Sequence, residues 1–261
     1  MTETVTVGNC SFNVVPGAHK RFWNRVNRGQ WEPETFAIFD RHIGPDTLYV
    51  DIGAWIGSTV LYAAQRADRA VAFEPDPVAF VELKRNLAAN AGAAWAQRLE
   101  IHESAINKDG KSFTLGGSSA GSSSMSSALF PDRESQWTVR AQRLPDVLST
   151  YRKPGQPVFL KIDIEGGEYD LLPTLAEVMA DPTTTIYISF HPTLFQQSLA
   201  ARHDGEAWKG PFIDQHLLVL GSIPATRNLA LGDGTPTTLA ALERRLKRRL
   251  QFPSEILISG P

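Results

Sequence analysis

From residue 46 onward the chain breaks into short apolar runs, each flush with a Gly or Pro turn: Leu48 to Ile52, Ala70 to Phe73, Leu99 to His102, Val158 to Ile164 and Ile186 to Phe190. Short, mainly apolar runs of this kind, flanked by turns, belong to strands covered on both faces. Strands that alternate with helical segments such as 76–91 are joined by crossovers and pair in parallel. The expected fold is therefore α/β, a doubly wound sheet. Two further strands are expected at the C-terminus, His216 to Leu220 and Glu255 to Ser259. Between them a helix is expected over Pro236 to Leu250, capped by Thr235 with Pro236 at its first position.

The first 45 residues read differently. Val5 and Val7, then Phe12 and Val14, alternate around the turn-prone Gly8-Asn9, which predicts a short hairpin at an edge or as a cap. Residues 18–30 predict a short helix ended by Gly29, and Trp31-Glu32-Pro33-Glu34 opens another that runs to His42. Together 1–45 form a hairpin and helical lid on a main domain spanning 46–261. Residues 107–142 carry no obvious crossover helix, and their Ser/Gly tract, 116–127, reads as a mobile loop between two short strands. There is no internal repeat at 20–50 residues.

Composition narrows the partners. Lys+Arg 26 against Asp+Glu 28 gives a formal net charge of -2 in 261 residues, too little bias to draw the chain to nucleic acid or an anionic membrane. Hydrophobic residues at 42% and charged residues at 21% exclude disorder, collagen-like and coiled-coil classes. The single cysteine, Cys10, excludes a disulfide framework, a Cys-rich zinc site and an iron–sulfur cluster. With no basic-plus-apolar leader and no long apolar window, the expected location is cytoplasmic.

Three clusters carry chemistry. In Val50-Asp51-Ile52-Gly53-Ala54-Trp55-Ile56-Gly57-Ser58 a buried strand ends and a helix begins, and Gly53 and Gly57 would let a ligand pass close to the backbone. Trp55 stands where a dinucleotide fingerprint needs its middle glycine, which disfavours hydride-transfer cofactors. Asp51 would repel a pyrophosphate and suit the ammonium of an amino-acid moiety. Next, Glu74 in Phe73-Glu74-Pro75 ends the following strand, where an acid can accept both hydroxyls of a ribose. Third, Lys161-Ile162-Asp163-Ile164-Glu165-Gly166-Gly167-Glu168 gathers three carboxylates beside the expected switch point. They could hold a hydroxyl, face a sulfonium or bind a divalent ion, or Glu165 and Glu168 could simply load a helix N-terminus, where negative charge is favourable.

In order and spacing these motifs resemble the FkbM-type S-adenosylmethionine-dependent methyltransferases, over roughly residues 31–191. The resemblance implies a Rossmann-like, mostly parallel seven-stranded sheet with helices on both faces. It also implies S-adenosyl-L-methionine as donor and O-methylation of a hydroxyl on a small-molecule acceptor such as a sugar, polyketide or other secondary metabolite. Carried over, Asp51, Gly53, Ala54, Gly57 and Ser58 flank the methionine part of the donor. Glu74 and Pro75 then lie at the ribose, Glu103, Ser104 and Ala105 near the adenine, and Asp163 near the transferred methyl. Two positions depart from the family pattern: Trp55, where Asn is usual, and Ser189 in Ser189-Phe190-His191, where Glu is common.

Methyl transfer needs alignment and a group to take the acceptor's proton. By position the candidates are His191 and Asp163, with Lys161 third because its side chain should point away from the face of Ile162. His191 is preferred for its ordinary pKa of about 6.5. A divalent metal on Asp163, Glu165 and His191 is weighed but not favoured. Phe22, Trp23 and Trp31 could line an acceptor pocket. The stretch Glu243 to Arg249 reads as a solvated helix face, and His19, His42, His102, His203 and His216 show no ligand spacing. A homodimer is compatible with the sequence. The rival functions are a non-catalytic donor-binding module and a nucleotide-dependent oxidoreductase.

Overall fold

The computed structural model describes residues 1–117, 126–130 and 135–261. The chain opens with a hairpin, β1 (Glu3–Val7) and β2 (Cys10–Val14), then helices α1 (Lys20–Asn27) and α2 (Pro33–His42). Strand and helix then alternate through β3 (Leu48–Ile52), α3 (Val60–Ala63), β4 (Arg69–Phe73), α4 (Pro77–Ala88) and β5 (Leu99–His102). Four short strands follow, β6 (Ala105–Ile106), β7 (Phe113–Gly117), β8 (Ser135–Val139) and β9 (Ala141–Gln142), before α5 (Leu144–Tyr151) and β10 (Val158–Ile162). After α6 (Glu168–Leu171) and α7 (Ala176–Ala180) come β11 (Thr184–Ser189), α8 (Pro192–Ala200) and α9 (Lys209–Gly221). The chain ends with β12 (Asn228–Leu231), β13 (Pro236–Thr237), α10 (Leu239–Arg249) and β14 (Glu255–Ser259).

The main sheet has the order β13-β12-β14-β11-β10-β3-β4-β5. From β11 to β5 every pairing is parallel, and β14, β12 and β13 join antiparallel. The chain winds outward from β3 in one direction and returns at β10 to wind in the other, so the switch point lies between β3 and β10. In open α/β sheets that is where loops diverge and a crevice opens beyond the strands' carboxyl ends. Every residue of β3 and β10 is buried, including the one charged residue that interrupts each apolar run, Asp51 and Lys161.

Each face of the sheet has its own core. One packs Val50, Ile52, Leu160 and Ile162 under Leu144, Val219 and Leu246 of the helices. The other packs Tyr49, Ala72, Phe159 and Tyr187 against Trp23, Phe36 and Phe39 of the N-terminal segment. The hairpin pairs only with itself, so it is a cap and not a sheet edge. It is held by Asn86 and Asn90 of the α4 region, whose Oδ1 atoms accept from Val15 N at 2.7 Å and Asn13 N at 2.8 Å. Phe39 stands 5.3 Å from Phe159 and 5.5 Å from Tyr49, ring centre to ring centre, so the cap shares the core of the sheet. Full burial of such a ring contributes roughly 1.5–3 kcal/mol.

Two expected elements and the expected number of strands need correction. His216 to Leu220 is not a strand but the second half of α9, because its buried positions, Phe212, His216, Val219 and Leu220, recur at helical spacing once the upstream residues are included. The strand beside β14 is instead Asn228–Leu231. The last helix starts at Leu239, not Pro236: Thr238 Oγ1 accepts from Ala241 N at 3.2 Å, and Pro236 sits in the two-residue β13, the extra strand that makes the sheet eight. The Ser/Gly tract falls largely outside the described residues; Gly116 and Gly117 belong to β7, which pairs with β8 as the two expected short strands. Among the described residues no helix is long and apolar enough to cross a membrane.

Candidate active site

The three loops that follow β3, β4 and β10 are tied into one floor. Gly53 N donates to the Phe73 carbonyl at 2.9 Å, and Asp163 N donates to the Ile52 carbonyl at 2.9 Å. Gly53 turns at φ +88°, and a Cβ there would lie 1.8 Å from the carbonyl oxygen of Asp163. At Gly57, φ +99°, a Cβ would lie 2.8 Å from Leu83 Cδ1 on α4. The space denied to a side chain at these two positions is filled by the protein itself: Asp163 at Gly53 and Leu83 at Gly57.

Above this floor the switch point opens into a cavity of about 1090 Å³, larger than the usual range for a single small ligand. Gly53, Ala54, Ser58, Glu74, Pro75, Ala105, Asp163 and His191 line it. Asp51, Gly57, Glu103 and Ser104 stand outside the lining. Ser104 instead accepts from Gln142 Nε2 at 3.0 Å. Asp51 is wholly buried: its Oδ2 accepts from Tyr49 Oη and Thr59 Oγ1, each at 2.8 Å, and Lys161 Nζ lies 3.5 Å from Oδ1. The charge that was to meet a ligand ammonium is thus already answered within the protein.

Trp55 holds the middle position of the loop at φ +48°, left-handed backbone that a non-glycine residue adopts only when packing holds it there. Its indole packs edge-on against Phe22, centroids 4.7 Å apart, and His19, 5.2 Å apart, both from the cap. The backbone N–H of Trp55 donates to Glu74 Oε2 at 2.7 Å, while Asp76 N donates to Oε1 at 2.8 Å. Burial pushes Glu74 up to about 8 against the pull of these two amides. Each carboxylate oxygen keeps a lone pair for a further donor. Asp76 caps α4 in the same turn, accepting from Val78 N at 2.8 Å.

The third cluster closes around two cations. Lys161 neighbours Asp51 on β3 and Tyr187 on β11 in register, so its side chain leaves the sheet on their face, opposite Ile162 as expected. At the strand end that face opens into the cavity, which Lys161 lines. Its ammonium lies 3.1 Å from Asp163 Oδ2 and 3.5 Å from Asp51 Oδ1. Burial disfavours its charge, but Asp163, Asp51 and Glu32 more than offset this and hold Lys161 protonated, above its ordinary range. It is therefore no base.

His191 sits just after β11, at the N-terminal boundary of α8. Its Nδ1 is 2.9 Å from Glu168 Oε1, and its Nε2 is 3.5 Å from Asp163 Oδ1 and 3.4 Å from Glu165 Oε2. Glu168 is wholly buried and also accepts from Ile164 N at 3.0 Å and Gly166 N at 2.8 Å, so it organises the turn and the imidazole rather than merely loading a helix end. Burial would lower the pKa of His191, yet the hydrogen bond and charge of Glu168, with Asp163 and Glu165, push it up to about 9. At neutral pH it is an imidazolium on the cavity wall. Ligand atoms of Asp163, Glu165 and His191 all lie within 4.8 Å of one another.

Of the aromatic candidates, Phe22 and Trp31 line the cavity, whereas Trp23 is 1% exposed and packs against Phe12 in the cap core. The sequence reading did not single out Glu32, Glu255, Arg25 or the segment Asn107 to Asp109, all of which line the cavity. Glu32, directly before Pro33, carried the one available signal: an acid beside a helix-opening proline in a segment already read as a lid.

Comparison with known proteins adds the following. A family model described as the methyltransferase FkbM domain matches residues 51–221. None of the curated proteins compared matches this chain. Among solved structures, the methyltransferase FkbM from Methylobacillus flagellatus KT is 15% identical, with TM-score 0.44, over 82% of this chain and 44% of that one. The chain thus spans less than half the length of that protein. An O-methyltransferase from Bacillus cereus in complex with SAH is 10% identical, with TM-score 0.42, over 88% of this chain and 80% of that one. TomG from Streptomyces achromogenes, an O-methyltransferase involved in tomaymycin synthesis, in complex with SAM, is 13% identical, with TM-score 0.39, over 90% and 81% respectively. At these identities and scores the three bear on neither substrate nor residue roles.

Proposed function

This chain belongs to the methyltransferase FkbM domain family, and on that premise we propose that it moves a methyl group from S-adenosylmethionine to a hydroxyl of a small-molecule acceptor such as a sugar, polyketide or other secondary metabolite. One arrangement supports the reading. Glu74, its two oxygens already squared by backbone amides, faces the same cavity as Asp163 across the Gly53 turn. An acid so placed can take the two hydroxyls of a ribose, and a carboxylate at the far side suits a positive sulfur. Gly53, Ala54 and Ser58 would lie along the amino-acid part of the donor, and Ala105 near its base.

Bound there, the donor supplies an electrophilic methyl on a positively charged sulfur. The protein's task is to bring an oxygen in line behind that methyl and to accept its proton. Asp163 takes this role in place of His191. An oxygen that has gained a methyl is a strong acid, so a carboxylate suffices to take its proton late in the transfer. The His191 imidazolium and Lys161 ammonium hold the Asp163 carboxylate in place, 3.5 and 3.1 Å away. Phe22, Trp31 and Trp55 wall the site with apolar surface that excludes water. This chemistry calls for no divalent ion.

Calorimetry with S-adenosylmethionine, S-adenosylhomocysteine and NAD tests the donor. Binding of the first two in the micromolar range, with no NAD binding, is the expected result, and no heat from either at millimolar concentration overturns the reading. Methyl-donor consumption over a panel of hydroxylated metabolites then tests transfer; a donor bound but never consumed would favour the binding module instead. With an accepted hydroxyl in hand, Asp163→Asn should lower kcat by about 10²–10⁴-fold, the span typical of a proton-accepting group. His191→Gln should cost about tenfold with donor affinity little changed, whereas Asp163→Asn should also weaken binding of the sulfonium donor. The reverse order in single-turnover rates would return the proton to His191.

A further inference from the structure

The cap brings into the cavity a carboxylate that lies outside the family-matched segment, residues 51–221. Glu32 adopts φ 44°, ψ 50° just before Pro33 opens α2, and its side chain lies on the cavity wall. Thr35 Oγ1 donates to its Oε2 at 3.2 Å, and the same hydroxyl is 3.1 Å from Tyr187 Oη on β11. The carboxylate is therefore tethered to the cap and, through Thr35, to the sheet. The charged groups facing it are Lys161 on β10, Asp163 just after it, and Glu255 on β14. All three line the same cavity. Acids outnumber cations around this wall, an arrangement suited to receiving one further positive charge.

We infer that Glu32 is the group by which this cavity tells a cationic donor from its neutral product: the sulfonium is held beside the ionised carboxylate, and the thioether left after transfer is not. The inference rests on the donor being a sulfonium, as proposed above. The carboxylate's environment agrees with it. In the free protein, burial lifts Glu32 to about 7, Lys161 opposing the rise and Asp163 adding to it. A cation beside it favours the ionised form, so donor binding releases a proton. The sign follows from linkage: a ligand that needs the ionised carboxylate binds more tightly as pH rises through the free protein's value, and a ligand indifferent to it does not.

The test is calorimetry on the full chain with S-adenosylmethionine, with sinefungin, which carries an ammonium in place of the sulfonium, and with S-adenosylhomocysteine. For the wild-type protein the affinity ratio of either cation to S-adenosylhomocysteine should rise about tenfold from pH 6 to pH 8, because the fraction of Glu32 that is ionised rises by that factor. The amine common to all three ligands cancels in the ratio. Glu32→Gln, whose amide oxygen can still accept from Thr35, should lower the ratio at pH 8 about tenfold and abolish its pH dependence, with S-adenosylhomocysteine affinity within about twofold of wild type. A ratio that is flat with pH in the wild type overturns the inference even if the variant fails to fold, as does a variant that retains the wild-type ratio. Failure of all three ligands to bind would instead remove the donor assignment itself.

Discussion

Lys161→Met should destabilise the folded chain by about 3–5 kcal/mol, because it removes the one ammonium set between two carboxylates and leaves Asp51 buried without its counter-charge. The lysine side chain is 3% exposed and that of Asp51 0%, so water cannot take over. Tyr49 and Thr59 still donate to Asp51 Oδ2, but neutral donors do not replace a full charge at Oδ1. The chain would have to protonate the acid or move it, and either change disturbs the floor formed by β3 and β10. Urea denaturation of wild type and variant measures the loss. The double change Asp51→Asn with Lys161→Met should recover part of it, since the orphaned charge is then gone. A single variant within 1 kcal/mol of wild type would mean that the ammonium and the carboxylate do not act as a pair.

Gly53→Ala should cost at least about 3 kcal/mol and reduce donor affinity at least a hundredfold. Two effects add. A Cβ at this residue would sit 1.8 Å from the Asp163 carbonyl oxygen, which belongs to backbone and cannot rotate away. The residue also turns at φ +88°, which costs an alanine about 1 kcal/mol or more apart from any clash. The loop after β10 would have to withdraw, taking Asp163 with it and breaking its N–H bond to the Ile52 carbonyl. Gly92→Ala is the matched control, since nothing lies within 4 Å of its Cβ position and its φ is not positive. It should be neutral or stabilise by about 0.4–1 kcal/mol. Equal effects of the two changes in thermal denaturation would show that close packing at Gly53 has been misjudged.

Several features could be read directly from the residues because their causes are local. Asp76 followed by Pro77 caps and opens α4 whatever packs on it, and the runs at Leu48 to Ile52 and Val158 to Ile162, apolar but for Asp51 and Lys161, point to strands covered on both sides. Errors arose where the local pattern was ambiguous. His216 to Leu220 is apolar enough for a strand, and only the residues before it reveal the helical period. Thr235-Pro236 carries the marks of a helix start, but Pro236 pairs with Ala230 across β12 and β13, and Thr238 takes the capping role.

The sequence by itself determined the doubly wound sheet, the place of the switch point and the presence there of Glu74, Asp163 and His191, because side-chain period and turn chemistry act over a few neighbouring residues. Only the tertiary structure decided what those groups do. Asp51 is spent on Lys161 because two strands distant in sequence lie in register, and His191 holds its proton because three carboxylates, two from the turn after β10 and one from the start of α6, converge on it. Glu32 reaches the cavity only because the cap folds over the sheet. Charge and burial at a site sum over every element that meets there, and no local pattern carries that sum.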